Sequence, residues 1–179
     1  MPTELTTERL RLDSWKVEDL DDYERLVYER DPRTAAAPRD GHPTREDLRT
    51  GIARLQRSID DIGIGLLVVR VSGEFAGYCG LVVGRATVDE PEIAFELLRR
   101  HQGHGYATEA ARAVVGEAAA TGRGRIWASV RRWNDASFRV LDKLGFERTS
   151  STIDDGFGDL IWCTRRIGPI DSVDTAKRE

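Results

Sequence analysis

The chain has few lysines, only two cysteines and no long apolar run, and each shortage excludes a class of protein. Lysine occurs only at Lys16, Lys143 and Lys177, and with a net charge of −4 the chain as a whole is not built to bind nucleic acid. Cys79 and Cys163 stand far apart in apolar runs, which predicts buried reduced thiols rather than a zinc site. We therefore expect neither a metal centre nor a nucleic-acid partner.

The sequence also shows no pattern typical of a membrane-spanning helix or a signal peptide. No run approaches the roughly 20 apolar residues that a membrane-spanning helix needs. The N-terminal stretch MPTELTTERLRLDSW has no apolar core of the kind found in a signal peptide. We expect no membrane partner, and a cytoplasmic location follows as the default.

The size and composition of the chain predict one globular domain. It has 179 residues, of which 40% are hydrophobic and 32% charged, and this is typical of a single domain with its own core. We expect that domain to span residues 1–168 and a polar C-terminal tail to follow at residues 169–179. The sequence leaves open whether the protein is a monomer or a homodimer.

Hydrophobic periodicity predicts four helices and seven strands in the order β-α-α-β-β-β-α-β-α-β-β. The helices are expected at Val17–Arg30, Thr44–Asp61, Gly105–Ala120 and Asn134–Leu144. The strands are expected at Arg9–Trp15, Gly65–Val71, Phe75–Val83, Glu92–Leu98, Arg125–Val130, Phe146–Thr152 and Asp159–Ile167. This order predicts an α/β (α+β) fold, with a mixed, mostly antiparallel twisted sheet of about seven strands and helices on both faces.

The most informative stretch is residues 92–110, in which a strand runs into a glycine-rich loop that opens a helix. Gly103, Gly105 and Ala107 are small, so an anionic ligand can approach the backbone closely. The first N–H groups of the helix have no partner within the helix, and the helix dipole is positive at that end. The pattern therefore indicates a site for a phosphorylated ligand, although a plain glycine turn before an ordinary helix has the same residues.

Two common phosphate-binding motifs do not fit this loop. A P-loop needs Gly-Lys-Ser or Gly-Lys-Thr after the glycines, and this stretch has neither. A dinucleotide-binding fingerprint needs a third small residue three positions after the second glycine and an acid about 20 residues further on. Here Ala107 follows Gly105 too closely, and Arg125 stands near the position of the acid.

Two strings of residues resemble the GNAT superfamily of N-acetyltransferases. Gln102-x-x-Gly105-x-Ala107 matches the acetyl-CoA pyrophosphate motif of that superfamily. The longer string Gly103–Ala110 and the opening Thr7–Leu12 resemble the branch that contains the ribosomal-protein N-terminal acetyltransferases.

A second string agrees with this resemblance. Asn134–Ser137 followed by Val140–Phe146 is similar to the same branch, at the right separation from the first string. The resemblance covers about Thr7 to Ile167. It implies that the sheet splays apart between the fourth and fifth predicted strands and that acetyl-CoA lies in this gap.

The resemblance also implies a set of cofactor-binding residues. The backbone of the fourth strand would pair with the pantetheine arm, and an N–H near Leu97 would donate to the thioester carbonyl. The diphosphate would sit on the N–H groups from Gly103 to Thr108, with nearby arginines adding positive charge. The residues expected to bind acetyl-CoA are Leu97, Leu98, Arg99, Arg100, Gln102, Gly103, His104, Gly105, Tyr106, Ala107, Thr108, Asn134 and Ser137.

Three residues are candidates for catalysis. Glu92 and Glu96 alternate on one face of the fourth strand, and either is a candidate for the base that keeps the attacking amine neutral. We prefer Glu92 because the family's strand-four Glu often stands there. Ser137 matches a serine that lies near the sulfur in the family, whereas Leu141 replaces the tyrosine acid of many members. These residues also have ordinary interpretations. Either Glu can be a solvent-facing strand residue, and Ser137 can be a helix-surface residue next to Asn134 as a plain N-cap.

The acceptor is expected to be a primary amine, on a small molecule or at a peptide N-terminus. The loop Arg33–Pro43 and the turn Asp154–Gly156 are expected to border its groove, and the adjacent aspartates favour a cationic amine. Two other functions stay open at this stage. One is a non-catalytic acyl-CoA-binding sensor on the same fold, and the other is an unrelated nucleotide-binding protein.

Overall fold

The computed structural model describes residues 1–33 and 43–168 of the chain. Within these ranges the strands are β1 (Glu4–Thr6), β2 (Leu10–Asp13), β3 (Leu66–Val71), β4 (Glu74–Val82), β5 (Glu92–Leu97), β6 (Arg125–Arg131), β7 (Glu147–Asp154) and β8 (Asp159–Arg166). The helices are α1 (Leu20–Tyr28), α2 (Arg45–Ile62), α3 (Tyr106–Ala120) and α4 (Asp135–Lys143).

All eight strands form one sheet, in the order β1-β2-β3-β4-β5-β6-β8-β7. Neighbouring strands pair antiparallel except β5 and β6, which run parallel and pair only at Glu92 and Trp127. Beyond that pair the two strands part. The sheet therefore contains a gap at its centre, on the side of the C-terminal ends of β5 and β6.

Helices cover both faces of the sheet, and each face has its own core. Small and branched residues of α3, such as Ala110 and Val114, pack with Phe138 and Leu141 of α4 against one face. On the other face α1 and α2 enclose Trp15, whose ring contacts Tyr23, Phe75 and Tyr78. The alternation of β5 follows from this arrangement, because its odd-numbered residues face α3 and its even-numbered residues face α1.

Local signals explain where α2 begins and ends. Thr44 accepts a hydrogen bond from the backbone N–H of Asp47, and the Asp47 carboxylate accepts one from the backbone N–H of Thr44. This reciprocal pair is the capping box that the sequence predicts. The helix ends at Gly63, which has a φ of 74° that favours glycine.

The predicted fold class is confirmed, including the helices on both faces and the splay between the fourth and fifth predicted strands. One strand was not predicted: β1 pairs with β2 over only three residues, too few to show an alternating pattern. Residues 17–19 form a 3-10 turn, so the first α-helix begins at Leu20 rather than Val17. The predicted tail at residues 169–179 and most of the loop Arg33–Pro43 lie outside the described residues.

Candidate active site

A cleft of about 560 Å³ opens where β5 and β6 part. Four segments line it: the end of α1, the end of β5 with the loop after it, the first turn of α3, and the turn from β6 into α4. The sequence-predicted residues that line it are Glu96, Leu97, Arg99, Gln102, Gly103, Gly105, Tyr106, Ala107, Thr108, Asn134 and Ser137. Segments far apart in the chain thus meet around one space.

Three of the predicted cofactor residues lie outside the cleft lining. Leu98 is fully buried in the core beneath α1 and α2. Arg100 is directed to β4, where its guanidinium donates to the carbonyl of Phe75 at 3.3 Å. His104 is exposed, and its carbonyl accepts a hydrogen bond from Arg9 on the outer side of the loop.

The phosphate loop, residues 102–105, leads into α3 with a backbone that glycine alone adopts easily. Gly103 and Gly105 have φ angles of 80° and 83°. A Cβ built on Gly103 would meet no atom within 4 Å, so the loop is open at that point. Among the described residues no side chain caps the start of α3. The N–H groups of Tyr106 and its two successors are therefore free to bind an anion.

The backbone of β5 presents hydrogen-bonding groups to the gap. The N–H of Leu98 donates to Ala76 on β4, whereas the carbonyl of Pro91 accepts from Trp127 on β6. Since backbone groups alternate sides along a strand, those of Phe95 and Leu97 point into the gap. The carbonyl of Leu97 is held by the Gln102 side chain at 2.8 Å.

The backbone N–H of Arg99, like that of Leu98, is bound by another element. It donates to the Glu29 carboxylate at the end of α1, at 2.7 Å. The Arg99 guanidinium returns a hydrogen bond to the carbonyl of Glu29. These contacts fasten α1 to the strand end. The exposed Arg99 side chain still lines the cleft as a cation.

The start of α4 forms the opposite wall. Asn134 caps the helix, since its side-chain oxygen accepts the N–H of Ser137 at 3.1 Å. Both residues line the cleft, as do Arg139 and Lys143 further along the helix. The cap orients the first turn, and the two basic side chains place positive charge on the same wall.

Glu96 lies in the cleft with an arginine beside it. Its carboxylate accepts hydrogen bonds of 2.9–3.0 Å from Arg30, and only 24% and 13% of the two side chains are exposed. Burial alone would lower the pKa of Arg30, but the Glu96 carboxylate raises it above its ordinary value. On the neighbouring strand, burial and Glu96 together raise the pKa of Tyr78, so its phenol stays protonated.

Glu92 lies at the apex of the gap and is only 5% exposed. Ser129 of β6 donates to one carboxylate oxygen at 2.6 Å, and the backbone N–H of Arg85 donates to the other. The side chain therefore bridges β5 and β6 just before they part. It is outside the lining of the cleft, on the same face of β5 as Glu96.

The side of the cleft near the end of α1 carries charges that are paired within the protein. Asp31 binds Arg33 at 2.6 Å, and the Arg33 guanidinium stacks 4.0 Å from the ring centre of Trp133. Trp133 lines the cleft, so this stack connects the chain beyond α1 with the turn between β6 and α4.

The turn expected to attract a cationic amine is paired in the same way. Asp155 accepts two hydrogen bonds from the buried Arg131 and a third from Arg85, which lower the pKa of its carboxyl despite some desolvation. Asp154 accepts the backbone N–H of Gly156 in the turn itself. Of the two aspartates, Asp155 thus has its charge balanced by two arginines of this chain.

Arg30 and Trp133 are among the cleft residues that the sequence analysis missed. Arg30 gave no signal, because nothing in the sequence indicates that the end of α1 meets β5. Trp133 directly precedes the Asn134–Ser137 string, and its place beside that motif was the available clue.

Two other kinds of site would need an accessible thiolate or a cluster of metal ligands. Cys79 is fully buried, and burial raises the pKa of its thiol, so it is a poor nucleophile. Among residues 1–33 and 43–168, no group of three or more His, Cys, Asp or Glu side chains is placed to hold a metal ion. None of the helices in the same ranges is both long and apolar enough to cross a bilayer.

Comparison with known proteins agrees with this geometry. The model of the acetyltransferase (GNAT) domain family matches residues 9–147. Uncharacterized protein YkkB of Bacillus subtilis (strain 168) is 33% identical over 152 residues, which are 80% of this chain and 84% of that protein.

Solved structures share the fold. A putative GnaT-family acetyltransferase from Bordetella pertussis is 26% identical, with a TM-score of 0.74 over 92% of this chain and 99% of that one. RimL, a ribosomal L7/L12 alpha-N-protein acetyltransferase solved with coenzyme A, is 16% identical, with a TM-score of 0.74 over 93% and 97% of the two chains. Since the family model spans most of the sequence, the chain belongs to the GNAT acetyltransferase family.

Proposed function

We propose that this protein is an N-acetyltransferase that moves an acetyl group from acetyl-CoA to a primary amine, by direct transfer in a ternary complex. One observation carries the proposal. The free N–H groups at the start of α3, the unpaired backbone of β5 and the Glu96 carboxylate all line a single cleft. A bound acetyl-CoA would supply an activated acetyl thioester there.

The wall of the cleft from Gln102 to Thr108, which we call the cofactor wall, fits a long molecule with a diphosphate. The N–H groups from Gly103 to Thr108 would hold the diphosphate, with the Arg99 guanidinium beside them. The backbone of Leu97 would pair with the pantetheine arm, and its N–H would stabilise negative charge on the carbonyl oxygen. Leu98, Arg100 and His104 would act by supporting the loop from outside the cleft.

Proton transfer would involve three side chains. Glu96 faces the cleft and is placed to hold the amine and accept its proton. Glu92, buried at the apex and held there by two hydrogen bonds, would serve as base only through a relay. Ser137 lines the cleft wall, where its hydroxyl would protonate or hydrogen-bond the departing thiolate.

Direct transfer is supported by the state of the cysteines. A covalent acetyl-enzyme would need an accessible thiolate, and both Cys79 and Cys163 are buried with pKa values raised by burial. The amine would therefore attack the thioester itself.

The acceptor would be an amine that carries few positive charges besides the reacting amine, either a peptide N-terminus or a small molecule. Around the described acceptor side, Asp31, Glu96 and Asp155 are each bound to an arginine of this chain. A polyamine or aminoglycoside would need several carboxylates that remain unpaired. The balanced charges favour short peptides and monoamines instead.

The decisive experiment measures thiol release from acetyl-CoA with short peptides of varied N-terminus, monoamines, amino acids, polyamines and aminoglycosides as acceptors. We expect turnover with at least one peptide or monoamine, and a product heavier by one acetyl group in mass spectrometry. Calorimetry with CoA runs in parallel. Absence of CoA binding would refute the proposal, whereas binding without turnover on the panel would favour the acyl-CoA sensor.

A further inference from the structure

The turn between β1 and β2 touches the phosphate loop from its outer side. Arg9 in this turn donates from Nη1 to the carbonyl of His104 at 3.1 Å, and its guanidinium carbon lies 4.8 Å from the centre of the Tyr106 ring. A Cβ built on Gly105 would lie 3.5 Å from Arg9 Nη2. One side chain thus contacts His104 and Tyr106 and lies beside Gly105 between them, from outside the cleft lining.

Glu109, in the first turn of α3, holds Arg9 in this position. Its carboxylate accepts three hydrogen bonds: from the backbone N–H of Arg9 at 2.9 Å, from Nε of Arg9 at 2.7 Å and from the hydroxyl of Thr7 at 2.6 Å. The Arg9 Nη2 lies 2.6 Å from the same carboxylate, and the Glu109 side chain is only 16% exposed. Both carboxylate oxygens are therefore engaged by a segment that is 100 residues away in sequence.

The phosphate loop needs such a contact because it has little internal restraint. Gly103 and Gly105 both adopt left-handed backbone angles, and glycines of this kind have many alternative conformations. A site whose N–H groups are already in place binds more tightly than one that must be ordered on binding. Contacts behind the loop supply that order without occupying the side that faces the ligand.

We propose that Arg9, held by Glu109, is a positioning residue that fixes the phosphate loop for the diphosphate of acetyl-CoA. The inference rests on the proposed function, which supplies the ligand. It goes beyond that function by giving a task to two residues outside the cleft. It also explains why the opening Thr7–Leu12 string and the glycine loop belong together: they are two halves of one contact.

Charge alone makes a different prediction for Glu109. A carboxylate near an anion site repels the ligand, so removing its charge would tighten CoA binding if the effect were only Coulombic. If Glu109 instead holds Arg9 against the loop, removing the charge loosens the loop and weakens binding. The direction of the change therefore separates the two explanations.

The test measures the Kd of CoA by calorimetry for Arg9→Ala, Arg9→Lys and Glu109→Gln. We expect Arg9→Ala to weaken binding roughly tenfold and Glu109→Gln about fivefold. Arg9→Lys restores only part of the affinity, because an ammonium cannot make the separate Nε, Nη1 and Nη2 contacts. The double variant Arg9→Ala with Glu109→Gln is no weaker than Arg9→Ala alone, since the residues act as one unit.

Arg11→Ala is the matched control. Arg11 lies two residues further along, on β2, is exposed, and pairs with Glu4 and Asp13 rather than with the loop. Its removal takes away the same charge and leaves CoA affinity unchanged. An Arg9→Ala protein that binds CoA as well as Arg11→Ala does would overturn the inference, as would tighter binding by Glu109→Gln.

A second measurement needs no ligand. Hydrogen exchange of the amides from Gly103 to Thr108 is compared between the folded wild-type protein and the variants. We expect faster exchange in Arg9→Ala and Glu109→Gln and no change in Arg11→Ala. Unchanged exchange in all three variants would refute the inference by itself. Failure of the wild-type protein to bind CoA would instead refute the proposed function.

Discussion

The two walls of the cleft are built on opposite principles. The proposed cofactor wall, from Gln102 to Thr108, offers backbone N–H groups whose position is set by left-handed glycines and the start of a helix. The proposed acceptor wall, around Arg30, Glu96 and Trp133, consists of side chains from separate elements, and its charges are paired within the protein. Backbone recognition suits a ligand that is always the same, whereas paired side chains suit a ligand that changes between relatives.

The largest effect is expected from Gly105→Glu on the cofactor wall. The substitution puts a side chain on a backbone with a φ of 83° and places a carboxylate beside the N–H groups that would hold the diphosphate. We expect CoA affinity to fall at least about 100-fold in calorimetry. Gly116→Glu adds the same charge to an exposed, open position of α3 and serves as the control. Equal affinity in the two variants would contradict the loop assignment.

On the acceptor wall, Glu96→Gln is expected to lower kcat about 100-fold while leaving CoA affinity intact. Its carboxylate faces the cleft, so the loss affects the amine rather than the cofactor. Glu92→Gln is expected to lower kcat by a smaller factor, about tenfold, because its carboxylate is buried and bridges two strands.

The relative size of the two losses of kcat distinguishes the two glutamates. A larger loss in Glu92→Gln than in Glu96→Gln would transfer the role of base to Glu92.

Ser137→Ala tests the side chain that lies in the cleft at the start of α4. We expect kcat to fall about tenfold with little change in thermal stability, because the Asn134 cap uses the backbone N–H of Ser137 and not its hydroxyl. Asn134→Ala, in contrast, removes the cap and lowers the free energy of unfolding by about 1 kcal/mol. A Ser137→Ala enzyme with full activity would leave the thiolate without an assigned partner in this chain.

The smallest effect is expected from Trp133→Leu. The substitution removes the ring on which Arg33 stacks, a contact of about 1 kcal/mol. We expect the KM of the acceptor to change severalfold while the KM of acetyl-CoA stays constant. Steady-state kinetics with each substrate varied in turn measures this, and a change confined to acetyl-CoA would place Trp133 in the cofactor wall.

The sequence predicted the geometry of the glycine loop better than the surroundings of Glu96 for a physical reason. A strand, a glycine loop and a helix start are consecutive in the chain, so local rules position Gly103, Gly105 and the N–H groups after them. The gap between β5 and β6 was placed correctly as well, through a family resemblance and not through periodicity.

Contacts across the fold could not be derived in this way. Arg30 meets Glu96 only because α1 packs on β5, and the two stand 66 residues apart. Alternation placed Glu92 and Glu96 on one face correctly, yet it could not show that one is buried at the apex and the other faces the cleft. Arg100 was expected to serve the phosphate, and only the tertiary structure shows its side chain directed to Phe75.

The single residue pair between β5 and β6 divides the sheet into two blocks, β1–β5 and β6–β8. Within each block every two neighbouring strands share at least three residue pairs, so the joint between the blocks is the weakest backbone ladder in the sheet. A pantetheine arm paired with Leu97 would act as a partial ninth strand along that line. A ligand present at 100 times its Kd raises the free energy of unfolding by about 2.7 kcal/mol. Much of that gain would appear as slower separation of the block β6–β8 from the rest of the sheet. The protein would therefore resist local unfolding best while acetyl-CoA is bound.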